Sequence, residues 1–209
     1  MYAIYHGPVG LRKIAERVNI LSSIFVVGLN KIGVDVITKN WFDTFTVACP
    51  GEVDKIIERA LEHGINLRKN GSSSIGISFD ETTDSSDIEQ LLMVFSGDNS
   101  CEWPIEELQK EECVKLPSEL KRNSPILQHS LFNTQHSETQ MLRYMRGLEL
   151  KDIALNQSMI PLGSCTMKLN STAEMIPVTW PGFANIHPFA PLEQVTGYME
   201  ICLLYTSPS

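Results

Sequence analysis

Cysteine is scarce in this sequence and poorly spaced for either of its structural uses. The 209 residues hold five, Cys49, Cys101, Cys113, Cys165 and Cys202, an odd number with no Cys-x-x-Cys pair. Neither a zinc knuckle nor a disulfide scaffold is indicated, and a reducing compartment is the default. Long basic runs are missing as well. No Lys/Arg cluster exceeds two residues (Arg12-Lys13, Arg68-Lys69, Lys121-Arg122), and the formal net charge is -8. Both observations argue against a face for duplex nucleic acid. The most apolar stretch, Ile20 to Leu29, is broken by Ser22-Ser23 and is too short to span a bilayer. The start, Met1-Tyr-Ala-Ile-Tyr-His6, lacks the basic region of a signal peptide and the Arg/Ser-rich character of a transit peptide. There are no repeats, no low-complexity tracts and no metal-ligand spacing. His136 stands beside Ser137 without the nearby acid that would define a hydrolase triad. What remains, 43% hydrophobic and 20% charged residues, is the composition of an ordinary soluble protein of one or two domains.

Periodicity organises the first hundred residues. Leu11, Ile14, Ala15, Val18, Phe25, Leu29 and Ile32 recur at three- and four-residue steps, predicting a helix over 8–33 that stops at Gly33. Val34 to Ile37 reads as a short strand. Thr44 to Cys49 reads as a second, with Phe45, Val47 and Cys49 on one face. A helix from about Glu52 to His63 would bury Val53, Ile56, Ile57, Ala60 and Leu61. Asn66–Lys69 and Ser74–Phe79 suggest a hairpin, with Asn70-Gly71 as its cue. A third helix, about Ser85 to Phe95, turns Ile88, Leu91, Leu92 and Phe95 inward, with Asp84 and Asp87 favouring its N-terminus. Helices gathered on one face of a mostly antiparallel sheet make an α+β layer structure.

Beyond residue 97 the character changes. Pro104, Pro117 and Pro125, with Glu106, Glu107, Glu111 and Glu112, mark a polar linker whose charges read as a solvated face. Ser137-Glu-Thr-Gln140 fits a capping box opening a helix that carries Met141, Leu142, Tyr144, Met145 and Leu148. Pro177, Pro181, Pro188 and Pro191 forbid a long helix through 171–191. Between these lies Ser158-Met-Ile-Pro-Leu-Gly-Ser-Cys-Thr-Met-Lys-Leu-Asn170, neither a clean helix nor a strand. Small residues, hydroxyls, a thiol, an ammonium and a carboxamide crowd together there. Loops on rigid scaffolds often place such groups for chemistry. The alternative is an irregular segment whose polar side chains only satisfy backbone groups.

That segment resembles the signature of the P-protein family of the glycine cleavage system. The likeness extends to His136-Ser-Glu-Thr139, Arg143-Tyr144, Asn185-Ile-His-Pro-Phe189, Glu193-Gln194 and Gly197-Tyr198. Upstream, Tyr5-His-Gly7, Phe42-Asp-Thr44 and Gly76-Ile-Ser-Phe-Asp-Glu-Thr82 also fit. The resemblance covers about residues 2 to 201. It implies an internal fragment in which residues 1–97 are the small α+β domain of a type I pyridoxal-phosphate (PLP) enzyme of aminotransferase-like fold. That domain closes the degenerate N-terminal half, and Arg68 with the Gly-Ile-Ser strand has counterparts in such domains. Residues 98–125 would be the linker. Residues 126–201 would be the irregular, helical start of a catalytic second half whose large domain is incomplete here. After Ile201 the pattern is lost, so 202–209 reads as a foreign tail, and Met1 reads as an internal methionine.

The resemblance also implies the chemistry. Enzymes of the family are PLP-dependent glycine dehydrogenases (aminomethyl-transferring), oxidoreductases of glycine catabolism. They release CO2 from glycine and pass the aminomethyl group to the lipoyl arm of the H-protein, with PLP as electron sink. They work as a homodimer or as paired halves. Their location is mitochondrial in a eukaryote and cytoplasmic in a bacterium. No Asp-bearing strand precedes Lys168, so the Schiff-base lysine is expected beyond residue 209 and Lys168 reads as a pocket-lining or structural cation. Ser164, Cys165, Thr166 and Asn170 would form the pocket wall with Lys168, or simply shape the loop. Were Lys168 close, it would lower the Cys165 pKa; otherwise Cys165 is a buried inert thiol. His187 would be a pocket donor or a capping group. On this reading the isolated chain is inactive. The rival reading is a non-catalytic α+β interaction module with a trailing apolar arm (Met159, Ile160, Met167, Leu169, Met175, Ile176, Trp180, Phe183, Phe189).

Overall fold

The longest helix, α1 (Tyr2–Ile32), owes its shape to one glycine and its position to nine consecutive buried residues. Gly7 leaves helical geometry (φ 62°, ψ -176°), and Pro8 after it has no N–H to return to the preceding turn, so the helix kinks there. From Leu21 to Leu29 every residue is buried. A helix apolar on all sides belongs inside a core. Its two serines are made tolerable locally. Ser22 Oγ donates to Asn19 O at 2.8 Å and lies 3.0 Å from Phe42 O, and Ser23 Oγ donates to Asn19 O at 2.8 Å. The computed structural model describes residues 1–97, 104–109, 116–152, 157 and 171–206. Among them, no helix is long and apolar enough to cross a membrane.

Around α1 stand β1 (Thr44–Ala48), α2 (Val53–Glu62), β2 (Arg68–Asn70), β3 (Ser74–Ser78) and α3 (Ser85–Ser96). The strands form an antiparallel sheet in the order β1-β3-β2, with Phe45 opposite Ile77, Val47 opposite Ile75 and Arg68 opposite Gly76. Phe25 of α1 is fully buried, its ring centroid 6.2 Å from Phe45, 5.6 Å from Phe79 and 5.8 Å from Phe95. One aromatic cluster thereby ties helix, sheet and α3 together. At Gly28 an added Cβ would lie 2.5 Å from Leu92 Cδ2, so the glycine is what lets α3 approach α1. A family of helices on a small antiparallel sheet is what the periodicity led us to expect.

Four details differ from the sequence reading, each for a local reason. Residues 34–37 form only a bridge, Val36 to Val47, held by Ile37 N–H to Thr46 O and Ala48 N–H to Asp35 O, both 2.8 Å. The next N–H, on Thr46, is taken at 3.0 Å by the Thr38 hydroxyl, which ends the ladder. Asn70 is a strand residue paired with Ser74, so the hairpin loop is Gly71–Ser73, not an Asn-Gly turn. Leu61 is 43% exposed, because α2 buries the stripe Val53, Ile56 and Ala60 and Leu61 lies about 100° round from it. Asp84 and Asp87 do more than meet the helix dipole. They form a reciprocal capping box, Asp84 accepting from the N–H of Ser86 and Asp87 while Asp87 accepts from Asp84 N–H at 2.8 Å.

The compact unit that holds this layer structure runs from residue 1 to 142. It also contains α4 (Ile105–Leu108), whose Ile105 and Leu108 join the core, and the 3-10 turns Ser118–Leu120 and Ser130–Asn133. Helix α5 (Glu138–Glu149) opens as expected, Ser137 Oγ accepting from Gln140 N–H at 3.3 Å. Gln140, however, reaches back to His136 N–H at 3.2 Å. The second unit, 143–209, comprises the end of α5 followed by α6 (Thr172–Met175), α7 (Pro181–Ala184) and α8 (Thr196–Thr206). Its described interior is small: Phe183 packs between Trp180 and Tyr198, and the Tyr198 hydroxyl donates to Phe183 O. No helix within 171–191 exceeds four residues among the described ones, as the prolines require.

Replacing Phe25 with Ala should cost about 3–5 kcal/mol, the usual loss for a fully enclosed ring. A urea titration followed by far-UV circular dichroism would measure it; a cost below 1 kcal/mol would mean the aromatic cluster is not the core's centre.

Candidate functional site

The motif Gly76-Ile-Ser-Phe-Asp-Glu-Thr82 occupies β3 and the turn that feeds α3. Asp80 gathers that turn. It accepts from Thr82 N–H at 2.8 Å, from the Thr82 hydroxyl at 2.6 Å and from the Thr83 hydroxyl at 3.4 Å. These donors, the Thr82 hydroxyl foremost, hold its carboxyl below the usual range against the opposing effect of partial burial. Asp84 is held low as well, first by the Ser86 hydroxyl. Arg17, reaching over from α1, donates to Glu81 O at 3.1 Å and to Thr83 O at 2.6 Å. Tyr2 is shifted upward, by loss of water first and then by the Glu81 carboxylate. The sequence carried no sign of this meeting of Tyr2, Arg17 and Glu81, since nothing local relates residues 64 or more apart. Both Asp80 and Asp84 are lowered, so these two carboxylates are charged anchors and not proton donors near neutral pH.

Arg68 lies across the neighbouring strand. An added Cβ on Gly76 would meet Arg68 Cβ and Cδ at 3.5 Å and Asn70 Nδ2 at 3.2 Å. The Gly-Ile-Ser strand and Arg68 are thus direct partners, with the arginine exposed. On α1, Pro8, Val9, Arg12, Lys13 and Glu16 line an open groove of about 470 Å³ closed on one side by Pro125 and Ile126.

Two further motifs, far apart in sequence, meet at Gly7. His136 Nδ1 lies 2.8 Å from Tyr5 O, and a carbonyl only accepts, so Nδ1 carries the hydrogen. Tyr5-His-Gly7 and His136-Ser-Glu-Thr139 are therefore one structural feature.

Of the proposed pocket wall, Ser164, Cys165, Thr166, Lys168 and Asn170 lie outside the described residues, as does the whole segment Ser158–Asn170. His187 is described and exposed; its Nδ1 accepts from Phe189 N–H at 3.0 Å, capping its own turn. Among the described residues there is no group of three or more His, Cys, Asp or Glu arranged to hold a metal. Cys49 is buried behind β1, and burial pushes its thiol pKa up, away from reactivity.

A carboxylate held low stabilises the fold above its unfolded pKa, and that gain is lost as pH falls through its folded pKa. Asp80→Asn should therefore lower the melting temperature near pH 7, with the gap to the parent closing once pH drops below the ordinary carboxylate range of about 3.9. Calorimetric scans from pH 7 to pH 3 would show it; a gap independent of pH would remove Asp80 as a charged anchor.

Comparison with known proteins is consistent across the chain. Residues 1–95 match the family model described as Glycine cleavage system P-protein. A glycine dehydrogenase (decarboxylating) of Edwardsiella ictaluri (strain 93-146) is 52% identical over 201 residues, which are 95% of this chain and 21% of that protein. The corresponding enzyme of Serratia proteamaculans (strain 568) is 48% identical over 204 residues, 96% of this chain and 21% of its own length. That of Variovorax paradoxus (strain S110) is 50% identical over 201 residues, again 96% and 21%. The chain spans about a fifth of the length of the curated relatives it matches. About half of the aligned positions agree over almost the whole sequence, so the chain is similar to about a fifth of a glycine dehydrogenase (decarboxylating), and its first 95 residues are similar to the glycine cleavage system P-protein model.

Proposed function

We propose that a protein containing this chain decarboxylates glycine and passes the remaining aminomethyl group to the lipoyl arm of an H-protein, working as a dimer or as paired halves. The observation that carries this reading is the 52% identity over 201 residues to a glycine dehydrogenase (decarboxylating). Losing CO2 from an amino acid leaves an electron pair that no side chain can absorb, which is the task of PLP. The described residues do not fit that group. The groove on α1 is open, and its Arg12, Lys13 and Glu16 are exposed along one helix instead of converging in a dry pocket. The chain's share of the work is to supply a wall: Ser164, Cys165, Thr166, Lys168 and Asn170 from the signature segment, with His187 nearby, hydrogen bonding around substrate while the Schiff-base lysine comes from elsewhere. The small α+β domain, residues 1–97, carries Arg68 and the Gly-Ile-Ser strand as the rigid base. The compartment follows the source, mitochondrion in a eukaryote and cytoplasm in a bacterium.

A second reading is favoured by the exposure of the arm. Trp180 is 52% exposed, Leu192 76% and Phe189 90%, surface of the kind that a protein partner covers. In this reading the chain is a non-catalytic α+β module.

Mixing the purified chain with PLP, reducing with borohydride and weighing the product by mass spectrometry tests the assignment of roles. No stoichiometric adduct and no glycine-dependent CO2 release are expected. A single adduct mapped to Lys168 would overturn the wall role, and bicarbonate exchange by the chain alone would overturn its inactivity.

A further inference from the structure

Residues 126–136 form a hydrogen-bonded knot. Leu127 is the only non-glycine residue with positive φ among the described ones, at 50°. Such a backbone is kept only where its surroundings over-determine it. Here Asn133 Nδ2 donates to both Leu127 O and His129 O at 3.0 Å, His129 Nδ1 accepts from Leu131 N–H at 3.1 Å, and the Thr134 hydroxyl donates to Ser130 O at 3.0 Å. The knot's turn, Ser130–Asn133, lies against α1. Its seat is Gly7: an added Cβ there would stand 2.6 Å from both Phe132 O and His136 Cε1. His136 then donates from Nδ1 to Tyr5 O, 131 residues away, while its own N–H is held by Gln140 of α5. The same residue thus touches the first turn of α1 and the first turn of α5.

We propose that this knot is a clamp: seated on Gly7 and pinned by His136, it fixes the start of α5 to the N-terminal turn of α1, and it releases as a unit without unfolding the sheet. His136 is a positioning residue in this device. The release is local because every named bond of the clamp lies within residues 126–140 or ends on residues 5–7, outside the aromatic cluster that holds β1, β3 and α3. Local opening of such a unit proceeds below the free energy of global unfolding. The inference does not depend on the decarboxylase reading.

Amide hydrogen exchange on the full 209-residue chain tests it. In His136→Ala, losing one hydrogen bond should speed exchange across 130–142 roughly three- to tenfold, with 44–48 and 74–78 unchanged. His136→Asn, which keeps a donor where Nδ1 stood, should restore parental rates. Gly7→Ala, with its Cβ against backbone and in a disfavoured φ, should speed the same segment by more than about tenfold. Should Gly7→Ala fail to fold, the two His136 variants still decide. Equal exchange in the Ala and Asn variants overturns the pinning role, as does no change in either. Acceleration of the sheet in step with 130–142 overturns the separability of the clamp.

Discussion

The first unit depends on enclosing α1 from Leu21 to Leu29 on every side. A helix in that position needs apolar neighbours all round, and they come from β1, β3, α3 and α4. Enclosure also dictates how the polar groups behave. Ser22 and Ser23 must spend their hydroxyls on Asn19 and Phe42 carbonyls, because no water reaches them. Arg59 is drawn to the end of α3, where its Nε donates to Val94 O at 2.8 Å and its charge faces the negative end of the helix dipole. Even the absent side chain of Gly28 is a consequence, since Leu92 fills the space a Cβ would take.

The two units contrast in how their apolar surface is used. In the first, the large apolar side chains of α1 from Leu21 to Leu29, of β1 and β3, and most of those of α3 are buried, while Ile20 is exposed. In the second, Met175, Ile176, Val178, Trp180, Phe189 and Leu192 are all exposed, and α8 leaves Met199, Ile201, Leu203 and Leu204 uncovered. Among the described residues of 171–191, short helices broken by prolines offer little surface to bury such groups.

Much of the layer structure was legible. The three- and four-residue steps of α1, α2 and α3 and the alternation of β1 are short-range signals, and these elements formed within a few residues of their expected bounds, except that α1 starts at Tyr2, ahead of the kink at Gly7 and the expected start at residue 8. The errors fell where a side chain competes with the backbone. Thr38 takes an N–H that a longer strand would have used, and Gln140 reaches one residue further back than a capping box requires. Of the site, the motif residues could be picked out by type and spacing, yet nothing in those properties says which motifs touch. Tyr5-His-Gly7 and His136-Ser-Glu-Thr139 met, as did Arg17 and the Glu81–Thr83 turn, through contacts 131 and 64 to 66 residues apart.

By itself the sequence determined what local physics controls: helix and strand identity, the proline-limited arm, the lack of basic, membrane-spanning and metal-binding patterns, and the motifs it shares with its relatives. Tertiary structure decided which carboxylates are held charged, which glycines are seats for other elements, and where Arg68, Arg17 and His136 find their partners. Those outcomes rest on hydrogen bonds and steric contacts between segments far apart along the chain, and no periodicity of 2 or 3.6 encodes them.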